Sequence, residues 1–234
     1  MNYVMSDLHG CYDEFLQMLE LIGFTENDNL TVIGDVVDRG VASVKLLQYL
    51  MMRKNIRLLM GNHEWFMRET IKRLPIDVDF DNVSEYLAEY YYRNWIYNGG
   101  KSAFNEYLSL SVSERSDLIN FLDSLLFYYE LTVEQQKFML IHTVPVGFKK
   151  KKALEDYKPF DLIFNRIEKY EWDGNFYDDK MLIVGHTPTF DFDGYAGKIY
   201  KREKIINIDC GCVYKSYGGR LGCLRLEDMR EYYV

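Results

Sequence analysis

Four histidines sit in or beside short motifs, mostly bounded by glycine, that also carry acidic or amide side chains: Asp7-Leu8-His9-Gly10, Gly61-Asn62-His63-Glu64, Ile141-His142-Thr143 and Gly185-His186-Thr187-Pro188. Between the first two lies Gly34-Asp35-Val36-Val37-Asp38-Arg39-Gly40. Carboxylate, amide and imidazole donors without thiolates suit divalent cations such as manganese, iron or zinc, with manganese favoured. The chemistry they can serve together is phosphate-ester hydrolysis, which needs an activated water, neutralised phosphoryl oxygens and a proton for the leaving group. Two cations about 3.5–4 Å apart supply the first two requirements, provided one carboxylate bridges them.

Asp7 and His9 are spaced i and i+2, so an extended strand end would send both side chains to one face, toward a first cation. Asp35 is the expected bridge, and Asn62, His142 and His186 are expected to complete a second site. Any one of these clusters alone reads equally well as a turn, a cap or a satisfied core group; five of them converging is a specific signal. Arg39 offers a planar fork that fits two phosphate oxygens.

The elements between the motifs alternate. Asn2–Met5, Leu30–Ile33 and Ile56–Met60 read as strands, separated by helices over Tyr12–Ile22 and Val44–Met52. This βαβαβ order implies parallel strands with right-handed crossovers, and so places the motifs at the carboxyl edge of a sheet. From Glu64 to about Tyr129 the pattern turns helical and tyrosine-rich, including Pro75–Tyr92 and Trp95–Leu108. This reads as a helical insertion or cap over about residues 65–130 of a single domain spanning 1–234. Its plain alternative is a packing layer. Phe138–Ile141 and Met181–Val184 read as buried strands ending at His142 and His186, with further strands at Lys198–Tyr200, Ile205–Ile208 and Leu221–Leu226, some antiparallel through a Gly218-Gly219 turn.

The five clusters, in this order, resemble those of the phosphoprotein phosphatase branch of the calcineurin-like metallophosphoesterases. The likeness is closest to the small bacterial and bacteriophage serine/threonine phosphatases and to the symmetrical diadenosine tetraphosphate hydrolases. It runs from Asp7 to Ile208-Asp209-Cys210-Gly211. It implies an α/β fold, a β-sandwich flanked by helices, with the cation ligands already named and a direct in-line attack by a metal-bound hydroxide. It also implies that His63 is the general acid, that Asp38 orients the His63 ring and favours its cationic form, and that Arg39 grips phosphate. Phe164-Asn165-Arg166 is similar to a phage-enzyme segment, which makes Arg166 the second expected clamp, against a plain surface role. Two departures stand out: Ser6 precedes Asp7 where relatives often carry glycine, and Thr143-Val144-Pro145 follows His142 in place of small residues.

The favoured substrate at this stage is a phosphoserine or phosphothreonine protein, or a small phosphoester. The alternative is symmetrical cleavage of a dinucleotide such as diadenosine tetraphosphate. A second alternative is a noncatalytic binding module. A net charge of −8 over 234 residues disfavours a nucleic-acid or membrane partner, although Lys149–Lys152 is a local basic run. The lack of an apparent leader or a span-length apolar run points to a cytoplasmic protein. The four cysteines, Cys11, Cys210, Cys212 and Cys223, lack paired metal-site spacing and read as small buried hydrophobes.

Overall fold

The structure is a computed structural model, and it describes residues 1–80, 82–86, 88–166 and 176–234, the side chain of Glu85 excepted. Among the described residues, ten strands form two five-stranded sheets. The first holds β1 (Asn2–Met5), β2 (Asn29–Val32), β3 (Ile56–Leu58), β9 (Gly222–Arg225) and β10 (Glu231–Tyr233), in the order β10-β9-β1-β2-β3. The second holds β4 (Tyr128–Val133), β5 (Gln136–Ile141), β6 (Met181–Val184), β7 (Tyr200–Arg202) and β8 (Ile205–Asn207), in the order β4-β5-β6-β8-β7. Six α-helices among the described residues accompany them: α1 (Tyr12–Leu21), α2 (Ser43–Met51), α3 (Asn62–Ile71), α4 (Tyr90–Tyr97), α5 (Lys101–Leu108) and α6 (Val112–Asp123).

The central strands are short apolar runs largely buried on both faces, and their alternation sorts side chains into two cores. Val4, Phe138, Leu140, Ile183, Ile206 and Leu224, drawn from both sheets, share one cluster between the sheets. Their neighbours Met5, Met139, Ile141, Leu182, Val184 and Ile205 join the cluster that also takes Phe15 of α1 and Leu47 of α2. The arrangement is a sandwich flanked by helices, as expected. Each fully buried aliphatic side chain contributes up to about 1.5–3 kcal/mol, an upper bound because the unfolded chain already buries some of that surface.

Parallel pairing of β1 with β2, of β2 with β3, of β5 with β6 and of β6 with β8 points six carboxyl ends the same way within their sheets. Each of these ends is followed within a few residues by Asp7, Asp35, Asn62, His142, His186 or Asp209. That shared edge positions the site.

Three expectations change. Trp95–Leu108 is not one helix: α4 stops at Tyr97, Gly99 takes φ 101°, and α5 starts at Lys101. Glycine at a helix end adopts positive φ without steric cost, so Asn98-Gly99-Gly100 breaks the run. Pro75–Tyr92 holds only a short 3-10 turn at Val83–Tyr86 before α4, and residues 81 and 87 lie outside the described residues. Gly218-Gly219 does not close a hairpin, because β8 and β9 belong to different sheets; the antiparallel pairs that involve this closing region are β7 with β8, β9 with β10 and β1 with β9.

Candidate active site

The strand ends do not run on as extended chain. Asp7, His9, Asp35, Asp38, Arg39 and His186 all have φ between 43° and 73°, a region that non-glycine residues enter at a cost. The i, i+2 argument for Asp7 and His9 therefore fails on its premise, since both occupy left-handed backbone beyond the end of β1. Strain gathers where the surrounding hydrogen bonds over-determine it. The His9 N–H donates to Asp35 O (2.9 Å), Gly10 N–H to Val36 O (2.7 Å) and Asp7 N–H to Gly34 O (3.1 Å), locking the two loops together. Gly34 packs against Gly61 so closely that a Cβ would lie 2.7 Å from the Gly61 backbone.

Two groups of donors converge and share one carboxylate: His9, Asp35 and His63 form the first, Asp35, His142 and His186 the second, with ligand atoms within 4.8 Å of one another in each. His142 Nδ1 faces the Ile33 carbonyl (2.9 Å) and so carries the hydrogen, which leaves Nε2 with a lone pair. That lone pair points at Asn62 Oδ1 (3.1 Å), His186 Nδ1 (3.1 Å) and Asp35 Oδ1 (3.4 Å). Acceptors facing acceptors in a buried site call for a positive charge between them. Burial alone would lower His142, but Asp35, then Asp7, push it up to about 10, so that a proton on Nε2 answers the same carboxylates that a cation would. Burial works to raise Asp35, yet the charges of His142, His63 and His9 hold it well below the usual carboxylate range. The residues present thus fit divalent cations, and His9 shows the usual ligand arrangement, with Nδ1 on the Val37 carbonyl (2.9 Å).

Asp7 belongs to neither group. Its carboxylate accepts the His186 N–H (3.0 and 3.2 Å) and the Ser6 hydroxyl, so the departure at Ser6 adds a bond to the site.

His63 Nδ1–H donates to Asp38 Oδ2 at 2.6 Å, with both groups fully buried. Burial would lower His63, but Asp35 and the bond and charge of Asp38 raise it and favour the imidazolium. Arg39 can only donate: its Nη1 lies 2.7 Å from His9 Nε2, whose lone pair it meets, while its Nη2 lies 3.0 Å from His63 Nε2, where the guanidinium charge opposes the imidazolium. Glu64 accepts N–H groups from Asp35, Val36, Val37 and Gly61 at 2.7–3.2 Å. Burial and the charge of Asp35 push it up to about 7 against the opposing pull of the Asp35 N–H. Its role is the plain one, a strut that caps α3 and fixes the Asp35 turn.

The calcineurin-like phosphoesterase pattern matches residues 3–205. The chain belongs to that family. Among curated relatives, it is 43% identical over 65 residues to the symmetrical bis(5'-nucleosyl)-tetraphosphatase of Wigglesworthia glossinidia brevipalpis, a match covering 27% of this chain and 24% of that protein. It is 41% identical over 72 residues to the enzyme of the same name from Haemophilus ducreyi, covering 30% and 27%. The matches therefore span about a quarter of each relative. Among solved structures, a candidate diadenosine tetraphosphatase superposes with a TM-score of 0.67 at 19% identity, covering 100% of this chain and 92% of that one. A serine/threonine phosphatase from Saccharomyces cerevisiae, with similarity to human PP5, gives 0.63 at 15% identity, covering 98% and 75%. At these identities the two structures show a shared fold.

Of the remaining expected positions in this calcineurin-like chain, Arg166 is exposed at the edge of the site, close enough that its charge contributes to lowering His186, after burial and the charge of His142. The loop after His142 holds that segment: Thr143 Oγ1–H donates to Asn165 O (2.7 Å), and Asn165 Nδ2–H to Val144 O (2.9 Å). The basic run lies elsewhere, Lys150–Lys152 lining a separate cavity of about 290 Å³, with Lys150 on Asp178 (2.7 Å) and Lys152 over the Tyr157 ring. The cysteines are free, three of them are buried, and among the described residues none joins a metal-capable group.

Two residues escaped the sequence reading. Trp95 Nε1–H donates to Asp38 Oδ1 at 2.8 Å from α4, and no local motif marks that contact. Asp209, fully buried after β8, is raised well above the usual range by burial and then by Asp7. Its position just past an apolar strand was the available signal.

Proposed function

We propose that this chain is a metal-dependent phosphoric ester hydrolase whose substrate is a dinucleoside tetraphosphate. The observation that carries the catalytic reading is the pair of buried donor groups sharing Asp35, beside a histidine bonded to a buried aspartate. His9 and Asp35, with Asp7, would hold one cation; Asp35, Asn62, His142 and His186 would hold the other. When bound, the two ions lower the pKa of a water and neutralise phosphoryl oxygens. Manganese suits this oxygen and nitrogen donor set, as do iron and zinc.

The chain's own residues supply the rest. His63, kept cationic by Asp35 and Asp38, protonates the leaving oxygen through Nε2. Arg39 offers two N–H groups at the mouth between His9 and His63, and Arg166 adds positive charge on the His186 side. Burial of the donors in a low-dielectric edge strengthens each of these interactions.

For the substrate, the curated matches favour the dinucleotide over the phosphoprotein expected from sequence. The likeness to the yeast phosphatase is one of fold, which leaves that reading without support of its own. An aromatic rim beside the clamp also supports a nucleotide. Arg39 Cζ lies 5.6 Å from the Tyr214 ring centre, Phe190 packs on Tyr214 at 5.5 Å, and Tyr217 lies near-parallel to Phe190 at 6.1 Å and 70% exposed. Rings next to a phosphate grip offer a face for a base, and such stacking is worth about 1–3 kcal/mol per base. Cleavage of diadenosine tetraphosphate and of a phosphoserine peptide, compared in one manganese assay, tests the proposal. Two ADP per diadenosine tetraphosphate, with kcat/KM above that for the peptide, is the expected result; a preference for the peptide would return the reading to a protein phosphatase.

A further inference from the structure

We propose that Trp95 is a positioning residue for proton donation by His63, acting through Asp38. Asp38 has no exposed surface and two oxygens to satisfy. Oδ2 accepts the His63 Nδ1–H at 2.6 Å and Oδ1 accepts the Trp95 indole N–H at 2.8 Å. Without the indole, one carboxylate oxygen would be buried and unpaired, and the group could turn about its side-chain torsion and carry the imidazole with it.

The same stretch of the chain also holds the backbone. Asp38 and Arg39 are consecutive left-handed residues, with φ 73° and 66°. The Asp38 N–H donates to Ser43 Oγ (2.8 Å), and the Arg39 N–H donates to the Gly99 carbonyl (3.1 Å), four residues beyond Trp95. Gly99 approaches Arg39 so closely that a Cβ would lie 2.9 Å from Arg39 Cγ, and Gly100 packs directly on the indole. The break between α4 and α5 thus presents an indole N–H and a carbonyl to two adjacent strained residues, one orienting the acid and one forming the clamp. Trp95 also packs edge-on against Phe104, with ring centres 5.7 Å apart. Packing alone needs a large ring there, but it gives no reason for the N–H to meet a buried carboxylate.

This inference rests on the hydrolase reading of the site, so its test carries a readout that does not need turnover. In the manganese-loaded protein, Trp95→Phe and the packing control Phe104→Leu are assayed on aryl phosphates from dinitrophenyl to phenyl. Trp95→Phe should lower kcat on phenyl phosphate on the order of tenfold, and on the dinitrophenyl ester by less than about threefold, at unchanged KM, because a poor leaving group depends most on a well-aimed acid. Phe104→Leu should shift all esters alike. Parallel losses across the series in both variants would overturn the proposal. In the metal-free protein, proton NMR should show the His63 Nδ1–H resonance lost in Trp95→Phe and kept in Phe104→Leu; its persistence in Trp95→Phe would overturn the proposal even if no ester is hydrolysed. Should Trp95→Phe fail to fold, the Trp95 indole proton in Asp38→Asn decides: an upfield move supports the bond, and an unmoved resonance contradicts it.

Discussion

The strand-end loops and the helices between β3 and β4 solve opposite problems. The loops hold polar groups in buried, left-handed backbone: Asp7, His9, Asp35, Asp38, Arg39 and His186 combine positive φ with a place in the donor set or its flank. Between β3 and β4 the described residues carry α3 to α6, and α6 starts on a Ser111 and Glu114 cap; besides the Glu106 carboxylate, which accepts the Ser43 and Val44 N–H groups at the start of α2, this stretch reaches the donor edge through Trp95 of α4 and the Gly99 carbonyl after it. Chemistry sits where backbone is strained, and the strain survives because neighbouring elements supply hydrogen bonds to it.

Changes to the two regions should therefore differ in size. The largest effect here belongs to the strand-end side: His63→Ala, in the first turn of α3 after β3, should cost about 10²–10⁴ in kcat on esters with poor leaving groups, with cation binding retained. A variant that kept wild-type turnover of phenyl phosphate would remove the acid assignment. Asp38→Asn comes next. The Asp38 charge helps raise His63 against burial, so removing it lowers the folded pKa, and the acid is lost earlier as pH rises. The basic limb of kcat/KM should move to lower pH, and a limb that stays put or moves upward would break the link between the two residues.

Outside both regions, Tyr217→Ala at the rim should raise KM for diadenosine tetraphosphate about fivefold and leave a phosphoserine peptide unchanged. Equal effects on both substrates would deny the ring a role in base recognition. The smallest change is expected at Tyr97, which ends α4 and is 91% exposed. Tyr97→Ala should alter kcat/KM by less than about twofold, and a larger loss would mean that the outer face of these helices takes part.

Sequence reading succeeded where residue type alone carried the signal. An Asp, Asn or His directly after an apolar strand has few plain explanations when several recur, so β1-α1-β2-α2-β3 and the convergence of His9, Asp35, His142 and His186 were legible. The left-handed conformations of Asp7 and His9 were not, because they depend on bonds to a loop nearly thirty residues away. The tyrosine-rich stretch before Trp95 reads as helical, yet its described residues form only a short turn at Val83–Tyr86 before α4. Half-exposed β4 and β10 carry no buried pattern. Trp95 reached Asp38 across 57 residues, a contact that only the fold reveals.

The central claim is that Asp35 is shared by two cation sites. Electron paramagnetic resonance of the manganese-titrated protein tests it most directly. The account predicts two ions per chain with an exchange-coupled spectrum, and in Asp35→Asn loss of that coupling together with a fall in affinity beyond the about 10–100-fold that an outer partner costs. A single uncoupled ion at saturation in the unaltered chain, or coupling that survives in Asp35→Asn, would contradict it.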